Sequence, residues 1–166
     1  CRKGWMAVCQ NQTSMGYQYD GGFAEFMIVP RQVLKVDGLN RIPDNVGFDE
    51  ASAAEPFACA INAQELLGIE EGDTVVVLGA GPVGLVAAQS AWLMGAGRVI
   101  VVDHLQERLE KARTMAYAET LDYDEHDDVV VELKKQTDYL GADVVIEAVG
   151  AEADGNLTQQ LTGPKL

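Results

Sequence analysis

The most informative pattern in the chain is a repeated switch of hydrophobic period. Residues 74–78, TVVVL, carry no polar side chain after Thr74, and a β-branched run of this kind predicts a strand buried on both faces, as in a parallel sheet. The next segment, 82–95, is apolar nearly all round (Val83, Leu85, Val86, Ala87, Ala88, Ala91, Trp92, Leu93), which predicts a helix buried against that sheet. The alternation then continues through a strand at 98–102, a helix at 105–115 and a short strand around 118–122. A helix near 127–137 and an apolar strand at 142–149 complete it. Strands alternating with helices mean βαβ units and a doubly wound parallel sheet.

Upstream the pattern is different. Residues 1–20 are polar and turn-rich and predict irregular structure. Residues 23–29, FAEFMIV, alternate loosely and stop at Pro30, which predicts a strand; VLKV at 33–36 predicts a second, shorter one. After the loop IPDNVGFDE, Asp49 is placed as the N-cap of a short helix over 50–54. A clearer helix is expected over 56–67, with Pro56 at its first position and Gly68 as the left-handed stop. A boundary near 50–70 therefore separates a strand-and-loop part from the α/β part. No internal repeat or low-complexity segment interrupts either.

Composition narrows the partners. The 166 residues are 48% hydrophobic and 23% charged, ordinary for a globular α/β protein. Twelve basic residues against 26 acidic ones give a net charge of -14, which argues against nucleic acid and anionic membranes, since both need basic patches. No apolar run reaches the roughly 18 residues of a membrane span. Cys1, Cys9 and Cys59 are an odd number and too few for a disulfide scaffold, so the expected compartment is the reducing cytoplasm.

The candidate chemistry lies at the first strand–helix junction. Gly79, Gly81 and Gly84 stand in the order G-x-G-x-x-G between strand and helix. Such glycines permit a tight turn, let backbone approach a pyrophosphate and let the helix pack close to the strand. Phosphates would meet the N–H groups at the start of the helix that opens with Pro82 and Val83. The following strand ends on Asp103, nineteen residues past Gly84, where a carboxylate can accept hydrogen bonds from an adenosine ribose and repel a 2′-phosphate. NAD is thus favoured over NADP. The competing readings are a glycine turn in another α/β domain, a methyltransferase among them, with Asp103 merely capping helix 105–115. The Pro82-Val83-Gly84 continuation speaks against the methyltransferase.

With these motifs in hand the chain resembles the zinc-containing medium-chain alcohol and polyol dehydrogenases. The resemblance is carried by GGFAEFMIVP at 21–30, AAEPFACA at 53–60 and GDTVVVLGAGPVGL at 72–85. It continues through MGAGRVIVVD at 94–103, ERLEKAR at 107–113 and GADVVIEAVG at 141–150. It implies an incomplete Rossmann domain over 56–166, preceded over 1–55 by the C-terminal part of a β-rich GroES-like catalytic domain. It also implies cofactor contacts from Gly79, Gly81, Pro82, Val83, Gly84, Asp103, Arg108, Ala148, Val149 and Gly150. Glu55 matches an acidic residue beside the catalytic zinc of the polyol-type branch; the competing reading is a charge at a helix N-terminus. Cys1 and Cys9, separated by seven residues, match the last two cysteines of a structural zinc lobe spaced C-x2-C-x2-C-x7-C. Cys59 is expected to be a small buried residue, and His104 and His126 to be solvated.

The resemblance further implies NAD and zinc as cofactors, a small-molecule alcohol or polyol substrate, and a homo-oligomeric parent. The departures shape the expectation. The remaining catalytic zinc ligands, the proton-relay residues and the last strands of the sheet have no counterpart here, so a truncated homologue or fragment is expected, with no complete catalytic set of its own. A non-catalytic NAD-binding module and a partial chain that folds poorly are the alternatives. Ala116 stands where the family usually has Gly, and a left-handed alanine there would cost roughly 1 kcal/mol. Tyr139-Leu140 replaces a common Gly-Arg turn.

Overall fold

The computed structural model describes residues 9–150. The chain divides into two compact units, Cys1–Gly47 and Phe48–Leu166.

In the first unit the chain is mostly turns. The Gly16 N–H donates to the Tyr19 carbonyl at 2.8 Å, closing a loop stapled by the Ser14 N–H to Gln18 Oε1, also 2.8 Å. The strand expected at 23–29 does not form; the segment is bent, and Phe23, Phe26 and Ile28 are exposed. A strand exists only where a neighbour takes up its backbone hydrogen bonds, and among the described residues no ladder runs beside this segment. The strand expected at 33–36 is instead part of a helix, α1 (Arg31–Lys35). Pro30 presets φ at -64° at its N-cap, and the Val33 N–H closes the first turn onto the Pro30 carbonyl at 3.0 Å.

The second unit opens with α2 (Phe48–Ser52) and α3 (Ala54–Leu67). Asp49 lies inside the first turn of α2 rather than at its N-cap, where its charge still suits the helix dipole. Helix α3 begins two residues before Pro56 and ends on Gly68 at φ 64°, ψ 51°, the expected left-handed stop. The alternation follows: β1 (Thr74–Leu78), α4 (Pro82–Leu93), β2 (Arg98–Asp103), α5 (Gln106–Met115) and β3 (Glu119–Asp122). A 3-10 turn (Tyr123–Glu125), α6 (Val129–Gln136) and β4 (Val144–Glu147) close it. All pairings are parallel, in the order β3-β2-β1-β4. Asp128 caps α6, its Oδ1 accepting from the Val130 and Val131 N–H groups.

The strand period of two divides the core between the faces of the sheet. Val75, Val77, Val99 and Val101 pack with Ala87, Ala88 and Ala91 of α4 and Ala112 of α5. Val76, Leu78, Ile100 and Val102 pack with Val129, Val130 and Leu133 of α6. Helix α4 is not buried all round as its composition predicts. Gly84, Val86, Ala87, Ala88, Ser90 and Ala91 are buried, while Leu93 is 88% exposed and Val83 and Trp92 are partly so. Apolar content cannot say which helix faces acquire neighbours; here the sheet, α3 and α5 cover only part of the circumference. Between α3 and α4 the fully buried Gln64 donates from Nε2 to the Ala87 carbonyl at 2.5 Å. At the opposite end of β2, Arg98 grips Glu119 of β3 through two 2.7 Å bonds and also donates to the Gln136 carbonyl.

One backbone expectation changes. Ala116 is right-handed, at φ -101° and ψ -2°, so it carries no such strain; the left-handed position is its neighbour Tyr117, at φ 51°. In the turn before β4, where Tyr139-Leu140 replaces a common Gly-Arg pair, Asp138 and Tyr139 are both left-handed, at φ 52° and 64°. Tyr139 is also 72% exposed, so its ring contributes little packing to offset that conformation. Tyr139→Gly is therefore expected to stabilise the fold by about 0.5–1 kcal/mol, read as a rise in melting temperature; a fall would show that the ring, not the backbone, governs this turn.

Candidate functional site

The carboxyl ends of β1, β2 and β4 meet around the glycine turn. Chain direction departs from β1 towards β2 on one side and β4 lies on the other, the switch point at which open α/β sheets form crevices. Gly79 turns the chain at φ 96°, and a Cβ added there would lie 2.9 Å from the Ala148 carbonyl oxygen. A Cβ on Gly84 would sit 1.8 Å from the Gly79 carbonyl oxygen, so the first turn of α4 rests directly on the end of β1. Gly81 differs: its φ is -71° and nothing lies within 4 Å of where its Cβ would be. It is the N-cap of α4 and faces open space, with Pro82 at the first helical position where a missing N–H costs nothing. The first N–H groups of a helix have no carbonyl of their own turn to bond, and they carry its positive dipole end. This place can hold an anionic group whose approach needs bare backbone.

Asp103 ends β2 beside that turn and is 8% exposed. Its Oδ2 accepts from the Ala80 N–H at 2.8 Å, and its Oδ1 from the His104 and Leu105 N–H groups at 2.8 and 2.9 Å. Arg108 Nη1, on half-exposed α5, stands 3.7 Å from Oδ2. Burial by itself pushes this carboxyl's pKa up, but the N–H groups of Ala80, Leu105 and His104, joined by Arg108, outweigh it and leave the group below the usual carboxylate range. The capping role and the site role fall on one side chain: Oδ1 serves the backbone entering α5, and Oδ2 serves the glycine turn.

The other predicted cofactor residues gather here. The Ala148 N–H extends the β4 ladder to the Leu78 carbonyl at 2.8 Å, and the Val149 side chain reaches to 3.2 Å from the Cβ position of Gly79. Val83 is exposed at the start of α4 and Gly150 ends the described chain. Sequence reasoning did not reveal the Ala80 amide as the partner of Asp103. Every residue but proline has an amide; the only signal was that Asp103 ends the strand next to β1.

Three residues are proposed for metal, Glu55 at one site and Cys1 with Cys9 at another. Cys1 lies outside the described residues, and Cys9 is a partly buried free thiol. Glu55 lies in the first turn of α3, with the Cys59 thiol one turn on donating to its Oε1 at 3.2 Å. Cys59 is exposed, not buried as its residue type predicts, because α3 turns only Ala60 and Gln64 into the core. The hydrogen bond to Glu55 and that residue's negative charge raise its pKa. Among the described residues no three His, Cys, Asp or Glu side chains converge as a metal site, and one carboxylate with one thiol supplies fewer than the four ligands of tetrahedral zinc. His104 is exposed, 3.7 Å from Asp124, and His126 is partly exposed on the acidic stretch before α6.

A crevice of bare glycine backbone at a helix start, with a buried acid at the end of the next strand, defines a dinucleotide-binding class of α/β domain. Residues 82–165 match the model of the zinc-binding dehydrogenase family, and the chain belongs to that family. It is 38% identical over 155 residues to a sorbitol dehydrogenase of Halalkalibacterium halodurans, covering 91% of this chain and 43% of that protein. Among solved structures, zinc dependent alcohol dehydrogenase 2 from Streptococcus pneumonia superposes with a TM-score of 0.80 at 28% identity, over 98% of this chain and 46% of that one. An alcohol dehydrogenase from Escherichia coli CFT073, complexed with NADH, gives 0.73 at 31% identity, over 87% of this chain and 41% of that one. The chain thus spans less than half the length of these relatives.

The lowered pKa of Asp103 sets a pH dependence. A carboxyl whose folded pKa is depressed adds stability that is present above its unfolded value and lost as pH falls through the folded one. The melting temperatures of the wild type and Asp103→Asn should therefore differ most above about pH 4 and converge at lower pH; a gap independent of pH would contradict the hydrogen-bonding pattern described.

Proposed function

We propose that this chain is the dinucleotide-binding portion of a zinc-dependent, NAD-linked alcohol or polyol dehydrogenase. In this reading residues 56–166 belong to the NAD-binding domain and residues 1–55 to the catalytic domain that precedes it. The observation that carries the reading is the glycine turn, where Gly84 permits contact between helix and strand while Gly81 leaves a bare approach to the start of α4.

The bound nicotinamide cofactor supplies the hydride chemistry. The chain's own residues bind and orient it. The start of α4, Gly81 to Gly84, receives the pyrophosphate on backbone N–H groups. Asp103 offers the remaining acceptor position of Oδ2 to the adenosine ribose and opposes a second phosphate on it, which favours NAD over NADP. Arg108 lies alongside as the basic wall of the ribose site. Ala148, Val149 and Gly150 border the crevice on the β4 side and lead towards the nicotinamide end. Glu55, beside the catalytic zinc in the polyol-type branch, and Cys1 with Cys9, half of a structural zinc site, complete metal sites only with ligands supplied by further segments of a longer protein.

The substrate in this reading is a small alcohol or polyol, and the longer protein is a cytoplasmic homo-oligomer. No helix among the described residues is long and apolar enough to cross a membrane.

NAD titration of three forms of the chain tests the proposal. The wild type should bind NAD. Gly81→Ala should keep the wild-type melting temperature and weaken binding at least about tenfold, since its Cβ meets only the ligand's space. Gly84→Ala should lose stability and binding together. A folded wild type that binds no NAD, or a Gly81→Ala variant that binds as well as the wild type, would overturn the reading.

A further inference from the structure

We propose that Asp103 is a positioning residue for the glycine turn, holding the Ala80 amide and thereby the pyrophosphate-binding backbone in place before any ribose arrives. The inference rests on the dinucleotide reading of the site and adds to it a role that does not involve the ribose.

The ladder between β1 and β2 pairs Leu78 with Val102, and the Gly79 N–H still donates to the Val102 carbonyl at 2.7 Å. Gly79 then turns away at φ 96°, so the next amide, that of Ala80, leaves the ladder. Ala80 is only 1% exposed, which denies its N–H water. A buried amide must find an acceptor. Asp103 Oδ2 is that acceptor at 2.8 Å, a side-chain oxygen taking the place that a backbone carbonyl held one residue earlier. The other oxygen is anchored by the His104 and Leu105 amides, so the carboxylate cannot swing without releasing them. The turn is thus fixed at its first residue by the ladder and at its second by Asp103, and Gly81 follows directly.

The acceptor capacity of the group leads the same way. A carboxylate offers about four lone-pair directions. Oδ1 is filled by two amides, Oδ2 holds one, and Arg108 Nη1 stands 3.7 Å from Oδ2 without a hydrogen bond to it. A ribose would therefore meet one available position on a group already committed to backbone. If ribose binding were the only task of Asp103, the Ala80 bond would be incidental to affinity.

Asp103→Asn separates the two roles. The amide oxygen can keep the His104 and Leu105 bonds, but an N–H₂ group then faces the Ala80 N–H, donor against donor. Binding of ADP and of 2′,3′-dideoxy-ADP, which lacks both ribose hydroxyls, is measured by calorimetry for the wild type and the variant. The expected result is a loss of about tenfold or more for both nucleotides. A loss for ADP alone, with dideoxy-ADP unaffected, would overturn the proposal and leave Asp103 a ribose ligand only.

A ligand-free measurement accompanies it. In hydrogen exchange by NMR, the Ala80 amide should be protected in the wild type and lose far more protection in the variant than the β1 and β2 amides, which fall only by the shared loss of stability. Equal protection of Ala80 in both proteins would overturn the proposal. A loss at Ala80 no greater than the loss across the sheet would assign Asp103 to fold stability instead and overturn it too. If the wild type binds neither nucleotide, the dinucleotide reading fails, and the Ala80 result still decides the positioning role.

Discussion

The carboxyl end of the sheet depends on how closely the start of α4 lies on the end of β1. The Gly79 carbonyl occupies the space where any side chain at position 84 would begin, and the Ala148 carbonyl occupies much of the space beside position 79. Three backbone segments therefore converge, with only the Ala148 methyl and the Val149 side chain beside them. Adding one methyl group at the first of these contacts would force backbone apart, because carbonyl oxygens fixed in a ladder cannot rotate aside as a flexible side chain can. The open approach at Gly81 exists because its neighbours are held so tightly.

That contact is supported from both faces of the sheet. Small alanines at positions 87, 88 and 91 let α4 approach the valines of β1 and β2, and larger residues on α6 fill the other face. The strand order then places Asp103 beside the glycine turn, although 23 residues separate it from Ala80. One carboxylate caps the entry to α5, bonds a stranded amide and balances Arg108. Its charge is held by hydrogen bonds in a place where burial alone would favour the neutral acid.

Most of this half of the molecule was legible in the sequence. The strand at 74–78, the Gly68 stop, the glycine turn and Asp103 follow from local chemistry: β-branched runs, left-handed glycine and an acid closing an apolar strand. The failures fall where a residue's state depends on a neighbour. Residues 23–29 alternate like a strand, yet alternation cannot supply the adjacent backbone a strand needs. Cys59 is apolar enough to bury, yet its helix turns a different face inward. The left-handed residue after α5 is Tyr117 rather than Ala116, because helices end where their last hydrogen bonds close.

By itself the sequence determined the order of strands and helices from residue 74 onward, the two-faced burial of the parallel strands and the identity of the glycine turn. These depend on steric and solvation preferences that each short segment carries with it. Only the tertiary structure decided that the Asp103 carboxylate bonds the Ala80 amide, that Gln64 lies buried against the Ala87 carbonyl, and that Arg98 pairs with Glu119. These pairings join groups through space, and their hydrogen bonds exist only once the sheet and its helices have brought the partners within reach.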